Sequence, residues 1–66
     1  MPKRAVELNR GKVAARLRRD GWINKGGGRH DVYVHAAHHG VLIVIPLHRT
    51  LSPGVARAIA KQAGWL

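Results

Sequence analysis

Apolar residues recur along this chain with two different periods. After Asn9, residues Val13, Ala14 and Leu17 fall at helical spacing, while Lys12, Arg16, Arg18 and Arg19 take the polar side. Asn9 is placed to cap this helix, because its side-chain carbonyl can accept a first-turn N–H that has no partner inside the helix. Asp20-Gly21 ends it, glycine readily supplying the left-handed residue of a helix terminus. A second helix opens at Ser52-Pro53, with serine as cap and proline at the first helical position. Its apolar stripe is Val55, Ala56, Ile59, Ala60 and Ala63, and Gly64 is its terminator.

The period changes between the helices. Trp22-Ile23 opens a short strand that the glycine run Gly26-Gly27-Gly28 ends or kinks. Residues Arg29 to His35 alternate, with His30, Val32 and Val34 on one face and Asp31, Tyr33 and His35 on the other. Ala36 to Gly40 reads as a hairpin loop. Val41 to Ile45 is continuously apolar, and Pro46 stops it. A strand apolar on both sides is expected to be covered on both. Two short helices cover one face, so a partner protein or a second copy is expected on part of the other. The order helix, strand, strand, strand, helix predicts an α+β sandwich: a three-stranded antiparallel sheet with both helices on one face, of the double-stranded-RNA-binding-domain type.

Sixty-six residues make a single domain, 1–66, with residues 1–8 read as a loosely ordered basic arm. There is no cysteine, hence no disulfide or thiolate metal site, which fits a cytoplasmic location. No apolar run approaches the roughly 20 residues of a membrane span, and Ala5 to Leu8 is too short and polar for a signal-peptide core. Twelve Lys and Arg against three acids give a formal net charge of +9. Residues 1–20 hold seven of the bases and two of the acids, so the charge is spread along the chain and not confined to a tail. Such a balance selects a polyanionic partner, nucleic acid or an acidic protein.

Within that field the segment Gly26-Gly27-Gly28-Arg29-His30-Asp31 carries the most chemistry. Glycines admit a bulky ligand close to the backbone. Arg29 and Lys25 suit phosphate oxygens. His30 bears the side chain that exchanges a proton most readily near neutrality, so it can take a proton from an RNA 2′-hydroxyl or give one to a leaving 5′-oxygen. The structural alternative is a strand-end imidazole bonded to a backbone carbonyl. His48 and Arg49 lie in the turn after Pro46; His48 is a phosphate contact beside Arg49, a residue completing the His30 site, or a plain turn residue whose ring packs on proline. Lys12, Arg16 and Arg19 share one side of the first helix, either an RNA-tracking face or a solvated one. His35, His38 and His39 match no closed zinc pattern and read as solvated loop residues, so no metal ligand is assigned. Trp22, Tyr33 and Trp65 can stack bases, though core packing is the simpler role for Trp22.

In order along the chain stand Asp20-Gly21-Trp22, Gly27-Gly28-Arg29-His30-Asp31, Ile45-Pro46-Leu47-His48, Ser52-Pro53-Gly54 and Ala60-Lys61-Gln62-Ala63-Gly64. Together they make the chain, over about residues 9–65, resemble the HicA family of bacterial toxins. In that family a helix is followed by Gly-Trp, a glycine-rich element ending in histidine, an Ile-Pro-x-His turn and a closing helix ending Lys-Gln-Ala-Gly. The resemblance implies a double-stranded-RNA-binding-like fold, cleavage of mRNA without a metal or other cofactor, a single active-site histidine at His30, and a HicB-type antitoxin that blocks the site. The chain departs from the family pattern at Arg29, where serine is common, and at Val55, where threonine is common. The toxin reading allows a homo-oligomer or a toxin–antitoxin hetero-oligomer; the contrasting expectations are a non-catalytic RNA-binding module on the same basic surface and an interaction protein for an acidic partner.

Overall fold

The computed structural model describes residues 6–26, 28 and 30–66. Its elements are α1 (Arg10–Arg19), β1 (Ile23–Asn24), β2 (His30–Val34), β3 (Ile43–Pro46) and α2 (Pro53–Gln62). The strands form one antiparallel sheet in the order β1-β2-β3. This is the α+β architecture expected from the sequence.

Local chemistry sets the helix ends. Asn9 Oδ1 accepts the Lys12 N–H at 3.0 Å, and Ser52 Oγ accepts the Val55 N–H at 3.3 Å. Both helices stop in the same way, at a Gly-Trp pair. The Gly21 N–H reaches the Arg18 carbonyl and the Trp22 N–H the Leu17 carbonyl; Gly64 and Trp65 repeat the pattern on Lys61 and Ala60. The paired bonds need a left-handed residue at the glycine, and φ is +96° at Gly21 and +82° at Gly64. The N–H of the tryptophan that follows is thereby turned back onto its own helix.

The core lies between the helices and one face of the sheet. Val13, Ala14 and Leu17 of α1 and Ala56 and Ile59 of α2 cluster with Tyr33, Ile43 and Ile45, with Trp22 and Leu51 closing the ends. Burying each large aliphatic or aromatic side chain contributes about 1.5–3 kcal/mol. The register pairs Tyr33 with Ile43 and Asp31 with Ile45 on this covered face. It pairs Ile23 with Val34, Val32 with Val44 and His30 with Pro46 on the other. There Ile23 is 57% exposed, Val44 47%, and Leu42, just ahead of β3, 56%. The second apolar face is therefore left open.

Three local expectations change. β3 begins at Ile43, not Val41, and Pro46 belongs to it as the partner of His30. The ladder stops because His35 turns aside: its Nδ1 accepts the Ala37 N–H and its Nε2 meets the Asp20 carbonyl, while Val41 N–H closes a turn onto His38. Of the hairpin histidines, His39 is exposed as expected, but His35 and His38 are not simply solvated. The His38 ring stacks on Trp22 at 5.1 Å, and His35 meets both rings edge-on. Residues 1–5 of the expected basic arm lie outside the described residues, but Val6 and Leu8 pack on the core and the Leu8 carbonyl accepts the Leu51 N–H at 2.7 Å.

Candidate functional site

His30 is the first residue of β2 and is exposed. Strand alternation puts it on the open face beside Val32, opposite Pro46 of β3. Its ring has no hydrogen-bond partner among the described residues. Lys25 follows β1 directly and is exposed; its N–H donates to the Val32 carbonyl at 2.7 Å, which places it at the rim of the same face. Gly26 is half-buried, and Gly28 is exposed with φ +143°. Gly27 and Arg29 lie outside the described residues.

His48 and Arg49 are exposed in the turn that leaves β3, past the partner residue of His30. That turn is tied down. The Arg10 N–H donates to the Arg49 carbonyl at 3.1 Å, Asn9 bridges Thr50, and Leu51 reaches Leu8. The basic residues of α1 occupy a different surface. Helix α1 packs on the covered face of the sheet, and Lys12, Ala15, Arg16 and Arg19 line an open groove along its outer side with Glu7. The Lys12 side chain has no partner among the described residues. Arg16 lies over the Trp65 ring, 4.2 Å from its centroid, and Trp65 Nε1 donates to Asp20 at 2.8 Å. Trp22 and Tyr33 are 3% and 1% exposed, which removes both from base stacking.

The residue that sequence reasoning missed is Arg10. Its guanidinium donates to the Pro46 carbonyl at 3.0 Å and pairs with the Asp31 carboxylate. One side chain therefore links α1 to β2, next to His30, and to the end of β3. A cation at the first turn opposes the helix dipole, and α1 has no acid in that turn. This unfavourable placement is the only local sign of the contact, since Asp31 lies 21 positions away. Asp31 is thus engaged on the covered side and does not orient the His30 imidazole. Arg10→Met is expected to cost about 1–3 kcal/mol, because it leaves a part-buried carboxylate and a carbonyl without their donor. Asp31→Leu added to it should recover part of the loss. Urea unfolding of the two single variants and the double variant measures both effects.

Among the described residues, no three His, Asp or Glu side chains converge as a metal cage. No helix among them is long and apolar enough to cross a membrane.

A three-stranded sheet with two helices on one face, a basic surface and an exposed imidazole beside a glycine loop define a small α+β domain of the double-stranded-RNA-binding-domain type. The family model described as HicA toxin of bacterial toxin-antitoxin matches residues 10–65. The chain therefore belongs to the HicA toxin family and is the toxin of a toxin–antitoxin pair. No curated protein and no solved structure matched it.

Proposed function

We propose that this toxin is an endoribonuclease that cleaves mRNA in the cytoplasm without a metal, with His30 as its catalytic residue. The observation that carries this reading is the placement of His30: an exposed imidazole, unbonded among the described residues, at the strand end beside a glycine loop. His30 takes the proton of an RNA 2′-hydroxyl as the 2′-oxygen attacks the adjacent phosphorus. The bond from phosphorus to the 5′-oxygen breaks, and the departing oxygen is protonated by imidazolium or water. The products are a 2′,3′-cyclic phosphate and a 5′-hydroxyl. Glycines 26–28 admit the RNA backbone. Lys25 and Arg29 offset charge on the phosphate as it develops, and His48 and Arg49 hold the flanking strand. Lys12 and Arg16 form a second, electrostatic contact along α1.

The test is incubation of the purified protein with RNA in EDTA, with the ends of the fragments identified. Cyclic phosphate termini are expected. Salt-sensitive binding with no fragments would instead identify a non-catalytic RNA-binding module.

The antitoxin is proposed to be a HicB-type protein seated on the open face of the sheet. Ile23, Leu42 and Val44 leave an aliphatic surface there that offers RNA neither rings to stack on nor hydrogen-bond donors. The formal charge of +9 favours an acidic partner over a second copy. His30 ends that face, so the seated antitoxin would cover it. Val44→Lys should weaken antitoxin binding about tenfold or more, since it places a charge in an apolar contact, and leave RNA cutting unchanged. Calorimetric titration with the antitoxin and a cleavage assay measure the two effects.

A further inference from the structure

We infer that Asn24 is a positioning residue for His30: its side-chain carbonyl takes the place of a backbone acceptor and so fixes the glycine loop onto β2. In the antiparallel register Asn24 lies opposite Tyr33, which makes Lys25 and Val32 the next pair. A pair of this kind exchanges two N–H···O bonds. Only one runs between the backbones, from the Lys25 N–H to the Val32 carbonyl at 2.7 Å. The return donor, the Val32 N–H, bonds instead to Asn24 Oδ1 at 3.2 Å. The same oxygen accepts the Gly26 N–H at 2.9 Å. Asn24 Oδ1 therefore ends the β1–β2 ladder and turns the chain at Gly26, in the manner of an Asx turn.

The position is unusual for its residue type. Asparagine is depleted in strands, yet it makes up half of β1. Its bonded partners flank the loop on both sides: Gly26 opens it, and Val32 stands two residues beyond His30 on the same face. Gly26 is pressed against the strand at the same place, so that a Cβ on it would lie 2.4 Å from the His30 carbonyl. The Asn24 oxygen thus holds Gly26 against β2 at the His30 carbonyl, and with it the strand end from which His30 would meet a phosphate.

This role rests on the catalytic reading of His30, and the experiment separates the two. Asn24→Ala removes the acceptor; Asn24→Asp keeps an oxygen in its place. Steady-state cleavage of an RNA oligonucleotide and NMR amide exchange are measured on wild type, both variants and His30→Ala. Asn24→Ala is expected to lower kcat about 10- to 100-fold, as misplacement of a reacting group does, with the RNA dissociation constant within about twofold because no cation is lost. Protection of the Gly26 and Val32 amides should fall in the same variant. Asn24→Asp should restore kcat and both protections, its added charge appearing in KM alone. Wild-type kcat in Asn24→Ala, or unchanged protection at both amides, overturns the role. Should His30→Ala cut as fast as wild type, the catalytic reading fails, and the exchange data alone then decide whether Asn24 holds the loop.

Discussion

RNA incubated with the His30→Ala protein is expected to remain intact, and cells expressing that variant are expected to grow. Positioned proton transfer contributes about 10²–10⁴ to the rate of such a reaction, and that contribution is lost with the imidazole. The protein should stay folded, because His30 is exposed and its ring bonds to nothing among the described residues. Replacing such a surface residue changes stability within about 0.5 kcal/mol. Circular dichroism and a thermal melt check the fold, and fragment analysis in EDTA checks the rate. Antitoxin binding serves as a further control on the fold. Wild-type cutting by the folded variant would overturn the assignment of His30.

Gly26→Ala is the second substitution with a large expected effect, and its cause is steric. The methyl group would lie 2.4 Å from the His30 carbonyl, 2.7 Å from the Val32 nitrogen and 3.2 Å from the Asp31 Cα. All three are backbone atoms, so no side chain can swing away. Either the loop must leave β2 or β2 must shift with His30 attached to it. A displacement of about 1 Å at a reacting group costs on the order of 100-fold in rate, and loss of both Asn24 bonds costs further stability. Cleavage should therefore fall about 100-fold or more and the melting temperature should drop. Gly28→Ala makes a useful contrast, because a Cβ there meets nothing within 4 Å although its φ of +143° is unfavourable to alanine. An active, fully stable Gly26→Ala protein would show that the loop does not need its close approach to β2.

The two substitutions differ in how far they could be foreseen. His30 stood out as a candidate, since an imidazole after three glycines in a chain of charge +9 is a chemical signal that needs no fold. Glycine at position 26 was legible as permissive backbone, but not as a contact. Its crowding depends on how β2 is laid beside β1, and that register involves atoms four to six residues further along the chain. Asn24 carried no signal for the same reason: its second partner, Val32, is eight residues away. Val41 and Leu42 were misjudged as strand because continuous apolar character does not reveal that His35, on the opposite strand, leaves the ladder to meet Asp20.

What the sequence determined by itself is what short-range physics controls. Asn9 and Ser52 cap their helices through atoms three residues on. Gly21-Trp22 and Gly64-Trp65 end them through bonds within one turn. The change from helical to alternating period sets the element order. The tertiary structure alone decided which apolar face of β3 is covered. Ile43 and Ile45 are buried while Leu42 and Val44 are exposed, although all four are equally aliphatic in the sequence. It also decided that Arg10 reaches Asp31 and Pro46, that Trp65 reaches Asp20, and that the Asn24 side chain accepts from both Gly26 and Val32. These contacts join residues that become neighbours only once the helices have packed on the sheet or the strands have paired. A one-residue change of register would exchange the two faces of a strand, and the face that stays open is the one at whose end His30 stands.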